Sequence, residues 1–216
     1  MLRSAAVSRI QQELGFRSDK SAEIITALQD TQVELERDVT MTPWWLNSGV
    51  VTIGTTTAAT QTIATPTGFL REKEDSPIYY NNTGADATGE RWVELRKESL
   101  QWLRDEYQDS TGAPEAYYLA EVLIFLFPIP DLSTYVIKGE YIKADTTLAT
   151  DVENDWLLYA HELMIGIAGQ KLARPFRDKE ALKAFADMET RGRLRVIREN
   201  AARETSNTRL AMGGED

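Results

Sequence analysis

The chain has 216 residues, of which 42% are hydrophobic, and its 34 acidic and 24 basic side chains give a formal net charge of −10. Five Trp, eight Tyr and six Phe exclude a disordered chain, because they supply apolar surface for a core. The absence of cysteine excludes disulfides, thiolate metal sites and a Cys nucleophile. The acidic balance argues against general nucleic-acid binding, and the longest apolar run, residues 122–127, is far below the roughly 20 residues of a membrane helix.

Residues 1–46 are predicted to form two helices. The first spans about residues 2–14 and is stopped by Gly15. The second is capped at Ser18 or Asp19 and ends at Pro43. Its apolar stripe consists of Ile24, Leu28, Leu35 and Val39. Trp44 and Trp45 follow at once, and two adjacent side chains on a helix cannot face the same core.

Residues 47–149 are predicted to form a β-rich insert that contains one helix, at about 92–107. Residues 50–53 and 61–64 read as a hairpin with a Thr-rich tip. Further strand candidates, which we expect to form a small antiparallel sheet, lie at 69–70, 78–80, 117–119, 122–127 and 135–142. A polar turn is predicted at 81–89, directly after the strand candidate at 78–80.

Residues 150–202 return to a helical pattern. Thr150 and Glu153 form a capping box, and the buried stripe of the helix that follows consists of Val152, Trp156, Tyr159, Leu163 and Ile167. Gly166 and Gly169 cost about 1 kcal/mol each relative to Ala, so we expect another backbone to approach there.

Pro175 breaks the pattern, and Asp178 starts a last helix at about 179–202. Residues 203–216 are predicted to be a flexible arm. The predicted fold class is α+β: residues 1–46 and 150–202 form a helical bundle, 47–149 form an inserted small antiparallel β domain, and 203–216 form an extended C-terminal arm.

The chain shows no catalytic motif. His161 is the only histidine, and Ile165 occupies the position at which a zinc-protease helix needs a second one. Carboxylate groups occur at Glu34/Glu36/Asp38, Glu72/Glu74/Asp75 and Asp151/Glu153/Asp155, and we interpret them as solvated surface charges. A glycan hydrolase that uses two such carboxylates is retained as an alternative. We predict no catalytic residue, no metal site and no cofactor.

The charges are unevenly distributed. Residues 1–170 carry 13 basic and 26 acidic side chains, whereas residues 171–209 carry 11 basic and 6 acidic. This asymmetry indicates a basic arm that meets an acidic partner surface or an acidic face of another copy. A solvated helix of mixed charge and a contact with nucleic acid remain open alternatives. Because Trp is enriched at interface centres, Trp44 and Trp45 are candidates for subunit contacts.

Several short motifs follow one another along the chain in an informative order. They are Leu14-Gly15, Pro43-Trp44-Trp45-Leu46, Pro66 with Phe69-Leu70-Arg71, Ile78-Tyr79-Tyr80, Gly112 with Pro114 and Tyr117-Tyr118, Phe127-Pro128 with Pro130-Asp131, Tyr141, Leu148, Asp155-Trp156-Leu157-Leu158, Ala201-Ala202-Arg203-Glu204 and Met212-Gly213-Gly214. In this order the chain resembles the head–tail adaptor (connector) proteins of tailed bacteriophages, of the podophage type, over nearly its whole length.

The resemblance implies a structural, non-enzymatic virion protein of the neck, present in the host cytoplasm during assembly. It implies a ring, usually a dodecamer, that docks beneath the portal, continues the DNA channel and provides the attachment site for tail nozzle or tube proteins. DNA would pass without specific binding, and no membrane is involved. A tail-completion or tail-terminator ring is the alternative.

Within this reading the residues receive specific roles. We predict that the C-terminal arm orders on binding and that its charges meet the portal protein. The arm charges are Arg191, Arg195, Arg198, Arg203 and Arg209. The subunit contacts are assigned to Trp44 and Trp45.

Overall fold

The computed structural model describes residues 1–74, 76–81, 92–149 and 154–212, with side chains described as far as residue 203. The chain divides into two compact units. Met1–Leu46 and Asp145–Asp216 form a helical unit, and Asn47–Ala144 form a β unit. The α+β class is therefore confirmed. Residues 145–149, which the sequence analysis assigned to the insert, group with the helical unit, and the predicted domain division stays a prediction.

Six α-helices lie in the described parts of the chain, five of them in the helical unit. They are α1 Arg3–Glu13, α2 Ser21–Arg37, α3 Leu100–Tyr107, α4 Asp155–Tyr159, α5 His161–Phe176 and α6 Lys179–Met212. Helix α1 ends where Gly15 adopts a φ of 72°, a conformation that glycine tolerates without a steric penalty. Helix α2 is preceded by a short 3-10 turn over Ser18–Lys20.

The apolar stripe of α2 is confirmed in part. Ile24, Leu28 and Leu35 are buried, but the helix ends at Arg37 instead of at Pro43, and Val39 beyond it is 71% exposed. The chain leaves the helical conformation at Asp38, whose carboxylate accepts bonds from the N–H and hydroxyl of Thr40. Such local side-chain bonds compete with helix continuation.

The start of the C-terminal helical segment differs from its prediction. The proposed capping box at Thr150 and Glu153 lies outside the described residues. Asn154 caps α4 by accepting the N–H of Leu157, and the predicted single helix is divided between α4 and α5 at Ala160. Asp178 starts α6 as predicted, accepting the N–H of Ala181.

Helices α5 and α6 pack closely through glycine. A Cβ on Gly166 of α5 would lie 2.5 Å from the backbone nitrogen of Glu189, and one on Gly169 would lie 2.4 Å from the ring of Phe185. Gly192 of α6 makes the reciprocal approach, at 2.5 Å from the backbone nitrogen of Leu163. The predicted approach of a backbone is confirmed at Gly166, whereas at Gly169 the approaching group is the side-chain ring of Phe185.

The β unit contains eleven short strands in its described residues. They are β1 Val51–Thr55, β2 Thr62–Ala64, β3 Phe69–Glu72, β4 Ile78–Asn81, β5 Trp92–Lys97, β6 Thr111–Gly112, β7 Ala116–Ala120, β8 Leu123–Phe127, β9 Ile129–Pro130, β10 Val136–Gly139 and β11 Tyr141–Lys143. Seven of them form one sheet in the order β1-β10-β4-β5-β7-β8-β2, antiparallel except for β5–β7. Two-stranded sheets pair β11 with β3 and β6 with β9.

The predicted hairpin of residues 50–53 and 61–64 is wrong. Strand β1 pairs with β10 and β2 pairs with β8, so these two strands are the opposite edges of the seven-stranded sheet. The two edges nevertheless meet: a Cβ on Gly54 of β1 would lie 2.5 Å from Cγ2 of Ile63 of β2. The sheet is therefore strongly curved. The resulting core contains Ile53, Ile63, Ile78, Tyr80, Leu95, Tyr117, Ile124, Leu126, Tyr135 and Ile137.

The predicted helix at 92–107 is also wrong in its first half. Residues 92–97 form β5, which pairs with β4 from Ile78↔Leu95 to Asn81↔Trp92. Helix α3 begins only after Ser99, whose hydroxyl accepts the N–H of Trp102. The predicted turn at 81–89 lies outside the described residues after Asn81. The strand predicted at 135–142 is divided at Glu140, and its last part joins the other sheet as β11.

The predicted C-terminal arm, residues 203–216, is mostly a continuation of the last helix. Helix α6 continues to Met212 instead of ending at residue 202, so most of the predicted arm is helical backbone. Val196 is the last buried residue among the α6 side chains that the structure describes. Residues 213–216 lie outside the described residues.

Candidate functional site

Three of the predicted arm charges lie on one face of α6. Arg191, Arg195 and Arg198 are spaced by four and three residues, which places them on neighbouring turns of a helix, and all three are exposed. Leu194 and Ile197 beside them are 47% and 55% exposed. The face therefore combines guanidinium groups with uncovered apolar side chains, which suits a protein surface better than bulk water.

Nearby carboxylates neutralise part of this charge. Arg191 lies 3.9 Å from Glu162, and Arg195 lies 2.8 Å from Glu199. The arginine side chains remain 59% and 53% exposed, and exposed pairs of this kind contribute roughly 0–1 kcal/mol because water screens them. Both arginines can exchange these partners for others at little cost.

Arg203 has a different environment from the other arm charges. Its guanidinium carbon lies 3.4 Å from the ring centroid of Trp44. One turn earlier, Asn200 makes two bonds to the same turn of chain: its Oδ1 accepts the N–H of Trp44 at 3.1 Å, and its Nδ2 donates to the carbonyl of Thr42 at 2.9 Å. The structure thus brings together Arg203 and Trp44, which the sequence analysis assigned to separate roles. The side chain of Arg209 lies outside those described.

Trp44 and Trp45 belong to one aromatic cluster in the helical unit. Tyr159 lies between them, with ring centroids 5.0 Å from Trp44 and 5.4 Å from Trp45, and Trp156 lies 5.4 Å from Trp45. Trp45 is 4% exposed, whereas Trp44 is half-buried. A short 3-10 turn over Trp44–Leu46, instead of an α-helix, lets both rings reach Tyr159. A subunit contact stays a prediction for this pair, and Trp44 keeps more surface for it.

A buried polar network beneath this cluster was missed by the sequence analysis. Oε1 of Glu36 accepts the indole N–H of Trp156 at 3.3 Å, the N–H of Asp145 at 3.1 Å and the side-chain amide of Gln32 at 2.8 Å. Glu36 is buried, so the interpretation of the Glu34/Glu36/Asp38 group as solvated surface charge is wrong for this member. The available signal was the polar pair Gln32 and Glu36, which continues the buried face of Leu28 and Leu35 at helical spacing.

Burial sets the protonation behaviour of this network. Desolvation raises the pKa of Glu36, which outweighs the hydrogen bonds that its carboxylate accepts. Desolvation also raises the pKa of Asp145, whose carboxylate accepts the N–H groups of Thr146 and Trp156. The carboxyl group of Glu36 joins α2 to Asp145 and α4, and that of Asp145 joins its own segment to α4, so both serve architecture in this unit.

The other candidate chemical groups are dispersed. His161 opens α5, and burial lowers the pKa of its imidazole. In the β unit, Glu72 and Glu74 line a cleft of about 640 Å³, where Glu72 forms an ion pair with Lys97. Asp75, Asp151 and Glu153 lie outside the described residues. Among the residues described, no group of three or more His, Cys, Asp or Glu is arranged to hold a metal ion.

No helix in the described part of the chain has the length and apolar character needed to span a bilayer. A comparison with curated proteins found none that matches the chain. In a comparison with protein-family models, the model described as SU10 adaptor protein matches residues 2–213. The β unit, the basic face of α6 and nearly all of the helical unit lie within those residues, and the chain therefore belongs to the SU10 adaptor protein family, a family of structural phage adaptors.

Proposed function

We propose that this chain is the head-to-tail adaptor of a tailed phage. Copies of it form a ring, for which twelve is the expected number, that docks on the portal protein, extends the DNA channel and provides the attachment site for tail nozzle or tube proteins. Membership of the adaptor family supports the structural role. The podophage type, the ring and the portal contact are the parts that this proposal adds.

The observation that carries the portal contact is the exposed basic face of α6. Arg191, Arg195 and Arg198 stand on a chain whose net charge is −10, and Leu194 and Ile197 lie uncovered beside them. An acidic protein that presents one basic, partly apolar helix face is suited to a partner surface of the opposite kind, because complementary charge steers encounter and uncovered apolar area supplies affinity.

The test is native mass spectrometry of the chain mixed with the portal ring encoded in the same genome. We expect one chain to add per portal subunit. The triple variant R191E/R195E/R198E should abolish this addition, whereas the matched control K179E/K183E, which changes two charges at the opposite end of α6, should retain it. Wild-type docking by the triple variant would refute the role of this face, and no docking by the wild-type chain would refute the portal contact.

Subunit contact through Trp44 is tested by the same instrument without the portal. We expect the variant W44L to form fewer rings at a given concentration than the wild type. An unchanged ring population would remove Trp44 from the subunit interface.

A further inference from the structure

Few of the side chains described in α6 beyond Val196 are covered. Of these side chains, which end at residue 203, those at 197, 198, 201, 202 and 203 are exposed, and those of Glu199 and Asn200 are partly covered. Asn200 holds the backbone of Thr42 and Trp44 through one donor and one acceptor. Arg203 then covers the indole ring of Trp44. These two side chains therefore tie this part of α6 to the turn of chain that carries Thr42 and Trp44.

We propose that Trp44, Asn200 and Arg203 form a latch that fixes the C-terminal segment of α6, residues 197–212, in the free subunit. A carboxylate-bearing protein surface opens the latch by taking Arg203 from the Trp44 ring. The first part of this inference, the closing half, is that the latch holds the segment in the free chain, and it concerns the free chain alone. The second part, the opening half, is that a carboxylate-bearing surface releases the segment. It rests on the proposed function, since it identifies the acidic surface with the partner on which the arm docks.

The chemistry of Arg203 explains why a carboxylate is the competing group. A guanidinium can stack on an indole face, but it binds a carboxylate through two parallel hydrogen bonds that the ring cannot supply. A lysine or an amide on the partner surface offers no such pair of acceptors. The latch is thus stable in the free subunit and open to exchange when an acidic surface arrives.

The indole nitrogen of Trp44 gives the latch a reason to open. Its Nε1 is buried and has no hydrogen-bond partner among the described residues. A buried donor without an acceptor is unfavourable, so a rearrangement around Trp44 that admits water or an acceptor of the partner to this N–H is favoured. The closed arrangement therefore retains one unsatisfied group that the open arrangement can satisfy.

Hydrogen–deuterium exchange of the free, full-length chain tests the closing half. We expect R203Q to accelerate exchange of the amides at 197–210 about threefold, the scale of one exposed cation–π contact. N200A, which removes both anchoring bonds, should accelerate it about tenfold. The control K183Q, which removes an exposed charge from the opposite end of α6, should exchange like the wild type.

A second measurement keeps this test independent of folding defects. Uncovering Trp44 should increase acrylamide quenching of the tryptophan fluorescence in R203Q, with the far-ultraviolet circular dichroism unchanged. Exchange rates and quenching in R203Q and N200A that match the wild type would overturn the latch.

The opening half is tested with a ten-residue polyglutamate peptide at low ionic strength. We expect the peptide to accelerate exchange at 197–210 at least twofold in the wild type and to leave R203Q unchanged, while a ten-residue polyglutamine peptide has no effect. No acceleration in the wild type would refute opening by carboxylates.

Portal docking separates this inference from the proposed function. If R203Q exchanges rapidly but docks normally, the latch stands and Arg203 is not a portal contact. If R203Q exchanges at the wild-type rate but does not dock, the latch is refuted and the portal contact stands.

Discussion

The packing of α5 against α6 should be sensitive to a single added methyl group. In G166A the new Cβ would lie 2.5 Å from the backbone nitrogen of Glu189 and 2.8 Å from the backbone carbonyl oxygen of Phe185. Ordinary contact needs about 3.5 Å, so the two helices must separate by about 1 Å. No side-chain rotation relieves this contact, because the atoms that are met belong to backbone.

Two effects of opposite sign determine the magnitude. Replacing glycine by alanine within a helix stabilises it by about 1 kcal/mol. Overpacking of a closed interface costs about 1–3 kcal/mol, and separation of the helices also weakens the contacts along the rest of the interface. We expect G166A to lower the free energy of unfolding by about 1–2 kcal/mol in total. G192A, which meets the backbone of Leu163 at 2.5 Å, should behave in the same way.

Urea unfolding followed by far-ultraviolet circular dichroism measures these changes. G112A is the control, because the same methyl group in the β unit meets nothing closer than Cγ of Pro128 at 3.9 Å. The double variant G166A/G192A should lose less than the sum of the single losses, since helices that have already separated accommodate the second methyl group. An unfolding midpoint for G166A at or above that of the wild type would refute the close-packing argument.

Three further predictions concern the buried polar network, the β core and the start of α6. Because the folded pKa of Glu36 is raised, wild-type stability should fall as pH rises from about 4 through that pKa. E36Q should remove this part of the fall, so urea midpoints that depend on pH as in the wild type would contradict the raised pKa. I137A should lower the free energy of unfolding by about 2–5 kcal/mol, because Ile137 is fully buried in the β core. Urea unfolding followed by near-ultraviolet circular dichroism measures this loss, and a midpoint for I137A equal to that of the wild type would argue against that core. D178A should lower the thermal midpoint by removing a helix cap worth about 1 kcal/mol, whereas D187A within α6 should have little effect; equal midpoints for D178A and D187A would contradict the capping role.

The helical elements were largely predictable because their evidence is local. The stripe of Ile24, Leu28 and Leu35 and the cap at Asp178 each depend on residues within one or two turns. The glycine prediction used a different principle, since a residue that weakens a helix needs a compensating contact. That principle identified close approaches at Gly166 and Gly169, but the expected backbone is present only at Gly166, because a side-chain ring fills the same space at Gly169.

The β unit was less predictable because strand partners lie far apart in the chain. Strand β1 pairs with residues 136–139, and β2 pairs with residues 123–125, so a polar turn between β1 and β2 was a misleading local signal. The helix prediction for residues 92–97 was wrong for another reason. Trp92 and Leu95 are spaced as on a helix face, and only the pairing with β4 makes the segment a strand.

The candidate site shows the same division between local and distant evidence. The arginine spacing at 191, 195 and 198 was readable because it lies within one helix. The contact of Arg203 with Trp44 and the hydrogen bond of Glu36 with Trp156 join residues more than one hundred positions apart, and for Glu36 the local signal was only its helical spacing from buried Leu28 and Gln32. A carboxylate among other acidic residues is ordinarily solvated, so composition pointed in the wrong direction for Glu36.

Helix α6 combines two different sources of helical stability, and this combination explains how one helix can both pack and extend. Up to Val196, close packing against α5 through Gly192 supports the helix. Among the side chains described beyond Val196, burial is slight, and support comes from good helix formers such as Ala201 and Ala202 and from the Arg195–Glu199 pair at i,i+4 spacing. A segment supported in this second way stays mainly helical when its contacts change, although its helical hydrogen bonds open more often. The bonds of Asn200 and the stacking of Arg203 can therefore set its direction and slow its local opening while the helix remains the dominant state, which is the property that a docking arm requires.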